Sequence, residues 1–136
     1  MKNSCCILAL LFFQASVAFS QSTFYSCDSR EVCYWNDKTQ VFEDCTKNDE
    51  NSRFKINKGF TMFEHTTADI SSAYYVSKFE HDNVNDVDVY DVTSDVGNKY
   101  TYIFDTKYSE IRIVGTSSDG GSYLVRFHIK ATWTED

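Results

Sequence analysis

The sequence predicts an all-β fold: an antiparallel meander of about eight to ten strands forming a closed or strongly rolled barrel, with a two-sheet β-sandwich as the alternative. Three observations carry that expectation. Apolar and polar residues alternate with period two in segment after segment, and the segments recur about every eight to twelve residues with turn-forming residues between them. Beyond residue 20 no stretch keeps helical periodicity for more than about two turns. The chain contains no proline, where average usage gives about six, so an open sheet would lack one means of blunting its edges and closure is favoured.

Residues 1–20 read as a secretory signal peptide. Lys2 supplies the positive start, Cys5 to Phe13 is an unbroken apolar run, and Ala18 and Ser20 place small residues before a cut at Gln21. A cut after Ala18 fits nearly as well. As a helix the apolar run would span at most about 20 Å against a hydrocarbon core of about 30 Å, which disfavours an uncleaved anchor. The expectation is a secreted or periplasmic protein with no membrane span, its residues 21–136 forming one domain. Loss of Lys2 with the leader takes the formal net charge from −7 to −8. That balance excludes nucleic acid and anionic membrane as natural partners, because both are bound through basic patches. A monomer without cofactor is expected, meeting a small apolar ligand or a protein partner.

The strands follow in order. Val32 to Asn36 and Thr39 to Glu43 flank a hairpin connection at Asp37-Lys38. Arg53 to Asn57 alternates before Lys58-Gly59 turns the chain into Phe60 to Phe63. Thr66 to Ser72 is either a capped helical turn or a connection, and with Cys45 to Ser52 it alone offers room for a crossover. Ala73 to Glu80 is a strand. Within Asp82 to Asp91 the valines alternate with acids until the pattern slips at Tyr90, which calls for a β-bulge there or a later strand start. Asp95 to Asn98 turns into Lys99 to Phe104, Asp105 to Ser109 into Glu110 to Val114, and Ser117 to Gly121 into the last strand. In that strand Tyr123, Val125, Phe127, Ile129, Ala131 and Trp133 share one face. Its length of about 35 Å implies a bend.

Three cysteines follow the leader: Cys27, Cys33 and Cys45. Two should pair in an oxidising compartment. The preferred pair is Cys27 with Cys45, because Cys33 alternates with Trp35 and suits an inert thiol on a buried face; Cys33 is the alternative member. No Cys-x-x-Cys and no nearby histidine supports redox or metal chemistry.

Candidate chemistry is sparse. The acidic block departs from the calcium-loop spacing, so a solvated loop is the simpler reading. Glu64 with His65, and Glu80 with His81 and Asp82, fall at the ends of neighbouring strands and would suit zinc or an acid–base pair if they converged on one rim. Exposed histidines at strand ends are equally ordinary, and His128 sits among polar neighbours as a surface residue. No nucleophile elbow or phosphate-cradling loop occurs. The aromatic residues Trp35, Tyr75, Tyr102, Phe104, Phe127 and Trp133 would line a ligand cavity if they stand back from one another, and fill the core if they do not.

The Ser20-Gln21 junction, the Cys33-Tyr34-Trp35-Asn36-Asp37 turn and the run Ser94 to Asp105 resemble small exported bacterial β-rich proteins without assigned activity. The resemblance implies export and a β-fold and carries no residue role. Lipocalin-like barrels are similar in architecture only, since their Gly-x-Trp signature is absent here. The expected function is a non-enzymatic binding or envelope-associated module. The alternatives are a metal-binding protein or metal-assisted hydrolase using His65 and His81, and a secreted inhibitor or partner-capture protein.

Overall fold

Alternating strands joined by short turns close here on themselves. The structure is a computed structural model that describes residues 21–135; the leader at 1–20 lies outside the described residues, as does residue 136. Eight strands are present: β1 (Ser22–Asn36), β2 (Val41–Asn57), β3 (Met62–Thr66), β4 (Ser71–Asp82), β5 (Val87–Ser94), β6 (Lys99–Asp105), β7 (Glu110–Thr116) and β8 (Ser122–Glu135). Each pairs antiparallel with the next, and β1 pairs with β8, giving a closed up-and-down barrel. The barrel option is therefore the correct one and the sandwich is not formed. No helix among the described residues is long and apolar enough to cross a membrane.

Several local expectations are corrected. Cys45 to Ser52 is no crossover but part of β2, which pairs with β1 from Asn57 back to Val41. Only residues 53–56 of β2 meet β3, so the far half of β2 runs along β1 with a free edge and only the tip of the β1–β2 hairpin, beyond Tyr34, projects past β8. Residues 44–49 of β2 are exposed on both faces, so alternation has no reason to be maintained there. The irregularity expected near Tyr90 lies instead across the ladder, in β4 at Ser77, while β5 runs in unbroken register against β6. In β8 a bulge at Lys130 shifts the register between Ser26↔Ala131 and Cys27↔Ile129. An extra residue reverses the side-chain alternation. Phe127 and Ile129 consequently face inward, and Trp133 faces outward, stacked on Phe24 at 5.4 Å.

The disulfide is also corrected: Cys33 bonds Cys45, and Cys27 is a free buried thiol. The register explains the exchange. Cys27 pairs across the ladders with Ser52 and Ile129 and joins the core, whereas a shift between Val32 and Tyr34 sets Cys33 beside Cys45 within the β1–β2 hairpin. Burial pushes the Cys27 thiol up to about 12, so it stays protonated and unreactive.

In an up-and-down barrel successive turns alternate between the two ends. One end carries the turns at 58–61, 83–86 and 106–109. There Phe60 stacks on Phe79 at 5.0 Å and Phe79 packs on Tyr90 at 4.9 Å, a partly exposed aromatic cap (44% and 38% for the two phenylalanines) above a core that includes Tyr25, Phe63 and Phe104. Phe60 holds its position with φ of 54°, and the hydrogen bond from Val76 N to Thr61 O (2.8 Å) ties this turn to β4. The other end carries the turns at 37–40, 67–70, 95–98 and 117–121 and is not capped in this way.

Candidate functional site

At the open end lies a cavity of about 190 Å³ lined by Arg30, His65, Tyr74, Tyr100, Tyr102, Ile113, Tyr123, Val125 and Phe127. Eight-stranded barrels are wide enough either to be filled by side chains or to hold one small ligand. The space matches about six waters at about 30 Å³ each, and exceeds the roughly 150 Å³ apolar cavity that is known to accept benzene.

Register places each wall residue. Arg30 is paired with Phe127, so the guanidinium stem shares the inward face with the ring. His65 is paired with Phe54; its imidazole stacks on that ring at 4.1 Å and meets Phe127 edge-on at 5.0 Å. Tyr74 stacks on Phe63 at 5.1 Å and tilts against Tyr102 at 5.3 Å. Tyr123 lies across from Gly115, and a Cβ on that glycine would run into the tyrosine hydroxyl and Cζ. Glycine is therefore required at 115 for the ring to lie where it does.

The electrostatics of this wall are one-sided. No Asp or Glu lines the cavity. Burial, and then the charge of Arg30, lower the His65 imidazole to about 4, so it is neutral at pH 7. Its Nε2 is buried without a hydrogen-bond partner among the described residues. Burial and the neighbouring Tyr74 hydroxyl raise the Tyr102 phenol above its ordinary value, and burial followed by Tyr100 raises Tyr123. On the outer wall, by contrast, Arg126 bridges Glu31 (2.6 Å) and Glu110 (3.7 Å), and Arg112 bridges Glu110 and the buried Asp105 (both 3.2 Å). Among the described residues those ion pairs do not include Arg30. A wider, more open depression of about 700 Å³ lies across β4 to β8; within it Ser77 Oγ donates to Asp91 O at 3.0 Å and Thr101 Oγ1 to Asp91 Oδ1 at 2.9 Å.

Of the aromatic residues expected to line a cavity, Tyr102 and Phe127 do. Phe104 belongs to the core beneath them. Tyr75 points outward and is 59% exposed, because its neighbour Tyr74 takes the inward position. Trp35 packs edge-on against Phe42 in the projecting hairpin and donates its indole N–H to Asp37 Oδ1 at 2.9 Å. Trp133 is outside, reversed by the bulge at Lys130.

The expected metal cluster does not form. His65 pairs with Ser72 at the start of β4, while His81 lies nine residues further along that strand, on the order of 30 Å away. His65 and Glu64 are also consecutive on a strand and so face opposite sides. His81 Nδ1 pairs with Asp88 Oδ1 at 2.7 Å and Nε2 with Asp86 Oδ1 at 3.4 Å, and Glu80 pairs with Lys78 at 3.2 Å. The Asp82 carboxylate accepts from Asn85 Nδ2 at 2.7 Å and from Val84 N at 2.9 Å, building its own turn. Among the described residues the one grouping with metal-ligand spacing is Glu31, Cys33 and Cys45, and its two sulfurs are joined in the disulfide.

Arg30, Tyr74, Tyr100 and Tyr123 are wall residues that the sequence reading did not single out, and His65 was assigned a different role. The signal for the tyrosines was available: Tyr74, Tyr100 and Tyr123 each fall near the start of β4, β6 or β8, and even-numbered strands of such a meander start at the same end. No protein-family model, curated protein or solved structure matches the chain, so the cavity's own geometry carries the functional reading.

Proposed function

We propose that this chain is an exported, non-enzymatic binding barrel that takes one small ligand in the cavity at its open end. The observation that carries the reading is the lining itself: Arg30, a neutral His65 and four tyrosines around about 190 Å³, with no acid among them. His65 Nε2 is also buried without a hydrogen-bond partner, as are Ser52 Oγ and Arg126 Nε elsewhere, and such a group costs about 1–3 kcal/mol. Binding is favoured over catalysis because the wall contains no Ser, Thr, Cys, Asp or Glu to act as nucleophile or to orient the imidazole. The Cys33–Cys45 disulfide supports an oxidising compartment, in keeping with the leader read from residues 1–20. Partner capture is the second reading: Phe60 and Phe79 stack at 5.0 Å while 44% and 38% exposed, a small aromatic surface at the other end of the barrel.

The test is a thermal-shift screen of ring-sized polar compounds against the wild type and His65→Phe, which fills part of the space and removes Nε2. Compounds that stabilise the wild type and lose that effect in the variant support the reading. No stabilising compound, or equal stabilisation of both proteins, overturns it.

A further inference from the structure

We propose that the ligand is a small planar monocarboxylate, held by the Arg30 guanidinium at the open end of the barrel; this rests on the binding reading above and deepens it. Charge argues first. Arg30 is the only residue of the wall that carries a full charge at pH 7, since His65 is neutral and no acid lines the space. A chain whose sequence without the leader is eight units negative thus turns a single positive group, with no acid beside it, toward this cavity, and the described ion pairs leave that group uncompensated. Its field is felt across the space, since it acts to lower both His65 and Tyr123. A cationic ligand would face it without a counter-charge.

The hydrogen-bonding inventory points the same way. A guanidinium offers five N–H donors and no acceptor, and the hydroxyls of Tyr74, Tyr100, Tyr102 and Tyr123 add donors around it. A carboxylate is acceptor-only and matches the guanidinium fork in plane, two bonds at a time. One guanidinium balances one negative charge; a phosphate dianion would enter with a second charge unpaired in a largely apolar surround. Shape supplies the rest. Ile113, Val125 and Phe127 make part of the lining apolar, and the rings of Tyr74 and Tyr102 are tilted 56° to each other at 5.3 Å. At about 190 Å³ the space suits a six-membered ring bearing one carboxylate and little more.

The experiment is isothermal titration calorimetry at pH 7 with benzoate, benzyl alcohol, benzylamine and inorganic phosphate, using the wild type, Arg30→Gln and Arg30→Lys, each checked for its fold by circular dichroism. The expected result is preference for benzoate, a loss of about tenfold to a hundredfold in Arg30→Gln, and partial retention in Arg30→Lys, which keeps the charge without the fork. Benzyl alcohol binding as tightly as benzoate, with Arg30→Gln unchanged, overturns the carboxylate assignment and leaves the binding cavity standing. Phosphate binding as tightly as benzoate overturns the planar part. Absence of binding by all four probes overturns both this assignment and the binding reading.

Discussion

At the closed end Phe60 lies on Phe79 and Phe79 on Tyr90, whereas at the open end Tyr74, Tyr100 and Tyr123 stand around about 190 Å³ of space. Both ends are built from aromatic residues, at the open end on strands and at the other on β4, β5 and the 58–61 turn. The difference lies in what the rings carry. A phenylalanine ring has no polar atom to satisfy, so Phe60 and Phe79 cap their end by stacking flush on each other, each still partly exposed. A tyrosine hydroxyl needs a partner, and four of them with an imidazole and a guanidinium hold one another's edges apart instead of packing flush. Barrel ends thus diverge into plug and mouth through a few polar atoms on otherwise similar side chains.

The hairpin over the open end offers the largest way to break this comparison. Cys33 and Cys45 close a loop of sequence separation 12, for which the chain-entropy model gives about 3 kcal/mol. Cys33→Ser with Cys45→Ser should lower the urea midpoint accordingly, and dithiothreitol should do the same to the wild type. Cys27→Ala should leave that sensitivity to reductant intact. A reductant effect that disappears with Cys27 would mean that the bond had been assigned to the wrong cysteine.

Two histidines sharpen the contrast through pH. His65, at the open end, has a folded value of about 4 against an unfolded value near 6.5, so the unfolded chain binds its proton first. The stability it contributes is present above the unfolded value and is lost as pH falls, roughly 2 kcal/mol between about pH 7 and pH 4.5. Urea titrations of the wild type and His65→Phe across that range should show the variant losing less, and parallel curves would contradict the assignment. His81, at the 83–86 hairpin of the closed end, is shifted the opposite way, raised first by its hydrogen bond to Asp88. Its contribution is complete below the unfolded value and is lost as pH rises through the folded one. This exposed pair should give the smallest effect: His81→Gln should leave stability at pH 8 unchanged and reduce it slightly at pH 6. The proton titration of His81 followed by NMR should show a midpoint above the ordinary histidine value.

The closed meander was legible because period-two alternation and short turns leave few other solutions. What the sequence hid has identifiable causes. The middle of β2, Cys45 to Ser52, is polar on both sides because it runs beyond β3 with a free edge, so it read as a connection. Bulges conceal facing: one residue too many at Lys130 turns Trp133 outward, and a register shift between Cys27 and Ser29 sets Arg30 on the inward face with Phe127. Nothing in local alternation announces either. His65 is legible as a chemistry-bearing residue, but its neighbours in sequence face the other way and its companions stand across the mouth. Tyr102 belongs to an unbroken alternating run, and Phe127 lies in the part of β8 before the bulge at Lys130, where alternation still tells its facing.

Backbone and ring chemical-shift mapping during a titration with benzoate tests the division between the two ends most directly. The account predicts saturable shifts concentrated at Arg30, His65, Tyr74, Tyr100, Tyr102 and Tyr123, with Phe60, Phe79 and Tyr90 unmoved. Saturable shifts centred on the Phe60–Phe79 stack, or on the open depression across β4 to β8, would contradict it.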